Sequence, residues 1–339
     1  MSTSRTTARS GRAVTAILLT ALVLLVVAAL AGITVGARVL SPAETVAGLL
    51  GHDGVAATVI WELRLPRTLL GLLVGVALGV AGVLAQAVTR NPLADPGLLG
   101  ISAGGAVAVV AGSVLLGLGA GTPRVLLALL GAALATAAVY LFASRSPEGL
   151  TPVNMTLAGM AMTAFLGAAV SATVLLSAST MDQYRFWVVG SLNLPDPAVL
   201  LPALVPAVVG AVLAVVVSGS LNALALGDDT AAALGVPVVR TRLLAGVAVV
   251  LLSGTAVALA GPIAFVGLVI PHVARALVGT DVRRVLALSA VLGPLLLVTA
   301  DVVGRLVARP AEVQVGVVTA LLGTPFFIWL TRRAKERAR

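Results

Sequence analysis

Long apolar stretches alternate with short polar interruptions along this chain. The apolar runs fall at about residues 14–35, 68–88, 98–118, 125–143, 155–176, 198–217, 243–278, 285–302 and 315–330. A helix needs roughly 20 apolar residues to cross the hydrocarbon of a bilayer, and these runs supply that length repeatedly. The seventh is too long for one crossing and contains Gly261-Pro262. Proline ends or kinks a helix, so division there gives ten spans. The pattern predicts an all-α, polytopic membrane protein with about ten transmembrane helices. The short alternating strands of a β-barrel are missing from the sequence.

The stretch RLPRTLLGLLVGVALGVAGVLAQAVTRNPLADPGLLGISAGG, residues 64–105, carries the most information. Gly71, Gly75 and Gly79 recur every fourth residue. Glycines at this spacing line one helix face and let a second backbone approach closely, which is how helices associate in lipid. The apolar run then breaks at a polar turn containing Gln86, Asn91 and Pro92. A tightly packed helix ending in a polar turn suits a translocation path.

Composition agrees with the pattern: 59% of residues are hydrophobic and 10% charged, against roughly 25% charged in soluble domains. The absence of cysteine excludes disulfides and thiolate metal sites. A net charge of +9 could point to nucleic acid, but aromatic residues at 3% offer no stacking platform for bases. The positive-inside rule explains the charge instead. The amino end carries Arg5, Arg9 and Arg12, and the carboxyl end Arg332, Arg333, Lys335, Arg337 and Arg339. Placing both ends on the cytoplasmic side requires an even number of spans. Ten spans put Arg90, Arg145, Arg240, Arg242, Arg275, Arg283 and Arg284 on that side too. The first run follows a basic segment, as in a signal peptide, but it is long enough to cross and is read as an uncleaved span. The expected organisation is a tail at 1–13, a single membrane domain at 14–332 with a cytoplasmic loop at 218–242, and a basic tail at 333–339.

The polar residues offer no enzyme chemistry. The sole lysine is Lys335, so no phosphate-binding loop is present, and ATP, if used, binds another chain. His52 and His272 stand apart, without metal-ligand spacing, and no metal or cofactor is expected. Within 218–242, Leu224 and Leu226 precede Gly227, Asp228 and Asp229 open a short alanine-rich helix, and Leu234 and Gly235 close it. Acids in the first turn and glycine past the end are ordinary helix punctuation. The segment reads equally as an interfacial helix or as one that inserts into a groove on a partner. Arg64 opens the second span and Arg305 closes the ninth, positions that suit interfacial anchors. Asp301, four residues before Arg305, is spaced to pair with it on one helix face. Its place near a span end weighs against an ion-coupled carrier, which places ionisable groups midway across.

Six segments in order resemble the FecCD family, the membrane subunits of importers for ferric siderophores, haem and vitamin B12. They are residues 64–105; Asp182-Gln183-Tyr184-Arg185-Phe186-Trp187 with Gly190-Ser191-Leu192; the loop LNALALGDDTAAALG; GPIAFVGLVIPHVAR; residues 300–305; and VQVGVVTALLGTPFF. The wording is most similar to ferric catecholate siderophore permeases. The resemblance implies a non-catalytic permease of the cytoplasmic membrane. It would work by alternating access with separate ATP-binding-cassette subunits, a periplasmic or lipid-anchored siderophore-binding protein and a second permease, identical or related. It implies that Arg64 and Arg305, expected to be exposed, dock the binding protein. It implies that Leu224, Leu226, Gly227, Asp228, Asp229, Leu234 and Gly235 couple to the ATPase. The rivals are the same machine carrying B12 or haem, an ion-coupled carrier and a membrane-embedded enzyme.

Overall fold

A computed structural model describes residues 11–36, 38–52, 54–118, 121–147, 151–175, 181, 184–185, 187–193 and 196–337. Arg5, Arg9, Asp182, Gln183, Phe186 and Arg339 lie outside the described residues. The helices are α1 (Gly11–Thr34), α2 (Pro42–Leu49), α3 (Gly54–Thr58), α4 (Leu65–Thr89), α5 (Ile101–Leu116), α6 (Thr122–Ser144), α7 (Pro152–Leu175), α8 (Leu200–Leu224), α9 (Asp228–Ala233), α10 (Val238–Ala260), α11 (Val266–Val278), α12 (Val282–Val307) and α13 (Val315–Arg337). No strand occurs among the described residues. Setting aside the short α2, α3 and α9, each predicted span has its helix, and the division of the long seventh run is real.

Helix α4 is the hub. It packs on α8, α10, α11 and α12, while α5, α6 and α7 pack on one another and α10 touches both groups. Its most apolar stretch is 78% buried, against 11% for α1, which rests mainly on α12. Small residues explain the difference. Gly75 crosses α12 so closely that a Cβ there would lie 2.3 Å from Pro294 Cα, and one on Gly293 would lie 2.1 Å from Gly75 O. On α10, Ala245, Ala248, Leu252 and Ala256 are buried at helical spacing and form the stripe that meets its neighbours.

The segment 36–67, which lies between the first two apolar runs, is largely helical. Ser41 and Glu44 form a reciprocal capping box that starts α2. Helix α3 passes through a π-helical turn, Val59–Arg64, straight into α4. Pro66 has no N–H to give and would disturb an ordinary helix here. The wider turn absorbs it, with Leu65 N–H bonding Ile60 O.

The break after α10 is equally well defined. Gly261 has φ of +73° and Phe265 of +69°, and α11 starts at Val266. Irregular backbone between apolar helices must be covered by protein, and here it is. Ser191 N–H donates to Ala260 O at 2.8 Å, and Gly316 N–H to Gly190 O at 3.1 Å. A Cβ on Gly261 would lie 2.2 Å from Trp187 O, so glycine is required there twice over. With 13 and 16 residues, α11 and α5 rise only about 20 and 24 Å. Each therefore needs its adjoining irregular segment to complete a crossing of roughly 30 Å.

Candidate functional site

Two polar clusters sit at opposite ends of α4, which is 25 residues long and so spans about 38 Å. The first surrounds the carboxyl end of α1. The last carbonyls of any helix lack partners within it, and that end carries partial negative charge. Three arginines supply the donors. Arg64 donates to Ile33 O, Thr34 O and Arg38 O; Arg305 donates to Gly32 O at 3.0 Å and Val35 O at 2.9 Å; Arg309 donates to Gly36 O at 2.8 Å. Asp301 lies between two guanidiniums, 2.7 Å from Arg67 and 2.9 Å from Arg305. Arg67 also reaches Glu312 at 2.6 Å. The predicted pairing of Asp301 with Arg305 is therefore present.

The expectation that Arg64 and Arg305 are exposed is corrected. They are 5% and 2% exposed. The physical reason is the carbonyl-rich end of α1, which draws both guanidiniums inward. The exposed charged groups of this cluster are Arg38, Arg309 and Glu312.

The second cluster holds the segment around α9. Gly227, at φ +113°, and Gly235, at φ +78°, bracket the helix. Asp228 takes an ion pair from Arg90 and another from Arg242 at 2.9 Å. Arg90 is the left-handed cap that closes α4, so α9 is tied to both α4 and α10. Close by, Asn222 on α8 donates to Asp281 at 3.1 Å and accepts from Val282 N–H at 2.8 Å, which fixes the start of α12. Leu226 and Leu234 are 67% and 63% exposed, and Asp229 is exposed beside them. Leu224 differs from its companions: it is 2% exposed and supports the segment from beneath.

Between the clusters, Gly71 packs on Leu192 and Val298, Gly75 on Pro294 and Gly79 on Ser289. Gln86 donates to Gly267 O at 3.2 Å and accepts from Arg275, which joins the end of α4 to α11. Asn91 accepts from Leu93 N–H at 2.9 Å and shapes the turn in which Pro92 is exposed. Asp95 caps the next short turn through Gly97 N–H at 2.8 Å. No group of three His, Asp or Glu side chains among the described residues is placed to hold a metal ion.

Sequence reasoning missed Glu312, and missed Arg90 and Arg242 as partners of Asp228. No local signal marks Glu312, whose partner is 245 residues away. Arg242 is only 14 residues from Asp228, so proximity in the chain could have suggested it.

The profile of the FecCD transport family matches residues 23–333. The ferric enterobactin transport system permease protein of Escherichia coli (strain K12) is 42% identical over 92% of this chain and 93% of its own length. The Fe(3+)-citrate import system permease protein of Bacillus subtilis (strain 168) is 43% identical over 90% of each chain. A solved structure of a metal-chelate type ABC transporter in an inward-facing conformation superposes with a TM-score of 0.82. It is 29% identical and covers 94% of this chain and 99% of its own.

Proposed function

The chain belongs to the FecCD transport family, and from that premise we propose that it carries ferric siderophores across the cytoplasmic membrane as the permease of an ATP-binding-cassette importer. One observation carries the cargo: the likeness to the ferric enterobactin permease extends over nearly the full length of both chains. ATP hydrolysis belongs to separate subunits, and a substrate-binding protein delivers the ligand. The end bearing α9 faces the cytoplasm, because Arg90, Arg145, Arg240, Arg242, Arg283 and Arg284 gather there.

On this reading α9 is the coupling helix. Leu226, Leu234 and Asp229 enter a groove on the ATPase, held by Gly227 and Gly235. Leu224 backs the segment, and Asp228 passes its displacement to Arg90 at the end of α4. The binding protein docks on the opposite end. There Arg64 and Arg305 hold α1 and the Asp301 network in place beneath the exposed Arg38 and Glu312. Helix α7 is 17% buried in its most apolar stretch, with Leu157, Met160 and Phe165 exposed, which suits a face for the second permease. Gly71, Gly75 and Gly79 keep α4 and α12 moving as one piece. Gln86, which the structure keeps within the last turns of α4 rather than in the turn expected from the sequence, and the turn with Asn91 and Pro92 lie where that piece meets α11, beside the path.

The test is uptake of radioiron-loaded siderophore by cells lacking and then regaining this chain. Excess B12 or haem serves as competitor, and an uncoupler is added with ATP held constant. Chain-dependent iron uptake that ignores all three supports the proposal. Loss of labelled B12 or haem uptake instead keeps the machine and replaces the cargo. Collapse with the uncoupler assigns an ion-coupled carrier.

A further inference from the structure

A cavity of about 140 Å³ lies between α4, α6, α7 and α10, at the end that carries α9. Val88, Val139 and Val249 contribute apolar wall, and Arg90, Arg242 and Tyr140 line it as well. Tyr140 is 40% exposed. Leu141 beside it on α6, and Leu243 and Val247 on α10, are exposed apolar surface. The cavity therefore adjoins the face these helices turn to lipid, at the depth where helix ends meet the headgroups.

The electrostatics of the cavity are unbalanced. Asp228 is the acid that pairs with both arginines among the described residues. Two guanidiniums share one carboxylate, which is itself partly exposed. An apolar recess with surplus positive charge at the membrane interface matches an amphiphile that has an anionic head. Guanidinium forks bind phosphate oxygens strongly and with defined geometry. A free phosphate would leave the apolar wall unfilled.

We propose that this cavity is a site for an anionic phospholipid, with the phosphate between Arg90 and Arg242 and the upper acyl chain against Val88, Val139 and Val249. The phosphate takes the place of the Asp228 carboxylate. Lipid occupancy and the attachment of α9 to α4 are then mutually exclusive, and by reciprocity a change in one biases the other. The lipid composition of the leaflet thereby sets how firmly α9 is held. The site rests on the placement of the helices in a bilayer and on no assignment of cargo.

The experiment is native mass spectrometry of the full-length purified chain. It is titrated with phosphatidylglycerol or with phosphatidylcholine of the same acyl chains, and separately with inorganic phosphate as competitor. Phosphatidylglycerol should be retained in preference to phosphatidylcholine. Arg90→Gln and Arg242→Gln should each weaken it about fivefold, the effect of roughly one interfacial charge. Asp228→Asn should strengthen it by removing the competing carboxylate, and Arg124→Gln, at the opposite end of α6, should leave it unchanged. Equal retention of the two lipids, or no gain in Asp228→Asn, overturns the proposal. Displacement by inorganic phosphate alone assigns the arginines to a free anion and also overturns it. If the arginine variants fail to fold, Asp228→Asn still decides, and lipid retention is read without any transport measurement.

Discussion

Replacing Gly75 with alanine adds one methyl group at the tightest point of the α4–α12 crossing. The added Cβ would lie 2.3 Å from Pro294 Cα, 2.4 Å from Pro294 N and 2.7 Å from Gly293 C. Carbon atoms in contact sit about 3.5 Å apart or more, so the overlap is about 1.2 Å. All three opposing atoms are backbone, so no side chain can rotate away and the helices must separate. Overpacking of this kind costs about 1–3 kcal/mol, and rigid backbone on both sides puts Gly75→Ala at about 3 kcal/mol. Alanine returns about 1 kcal/mol through helix propensity. The net loss is therefore about 2 kcal/mol, or about 4–8 °C in Tm at the 2–4 °C per kcal/mol expected of larger domains. Gly246 on α10 is the control, because a Cβ there meets nothing within 4 Å. Gly246→Ala should leave Tm unchanged or raise it. Thermal stability of the detergent-purified chain, read as surviving monodisperse protein after heating, measures both. A Gly75→Ala variant as stable as the parent would refute the reasoning, since the helices would then have room to spare.

Two further outcomes follow from the clusters. Asp301→Asn leaves the buried Arg305 guanidinium with carbonyl partners alone and Arg67 with Glu312, and should cost about 3 kcal/mol, visible as a sharp fall in folded protein recovered from membranes; normal recovery would mean that water reaches the network. Asp228→Lys with Asp229→Lys sets like charges against Arg90 and Arg242 and should let ATP hydrolysis proceed without uptake in the assembled transporter. Normal coupling in that double variant would leave α9 an ordinary interfacial helix.

The spans were legible because crossing a bilayer demands a length of apolar sequence that few other structures need. The division at Gly261-Pro262 was legible for the same reason, since no single helix could use so long a run. Helix α2 was written in the sequence as well: Ser41 and Glu44 at capping-box spacing announce it, although residues 36–67 read as a loop. The glycine face of α4 could be read from its period, but its partner could not. Gly293 and Pro294 lie more than 200 residues away, and nothing local says which helix they will meet. The arginines show the limit most clearly. Position along the chain put Arg64 and Arg305 at helix ends, where exposure is the usual condition. Their burial depends on the unfilled carbonyls of α1, a demand that exists only once α1, α4 and α12 have assembled.

The capping of α1 also bears on how the protein is made. Helix α1 leaves the ribosome before the helices it packs on and has little surface buried against its neighbours, yet Gly32 O and Val35 O at its end wait for a guanidinium 273 and 270 residues downstream. Until the ninth span has been inserted, the first is threaded through the membrane but unfinished. A chain cut short between Arg64 and Arg305 would keep a first helix with two of its last carbonyls bare, a ready mark by which membrane quality control could tell an incomplete copy from a whole one.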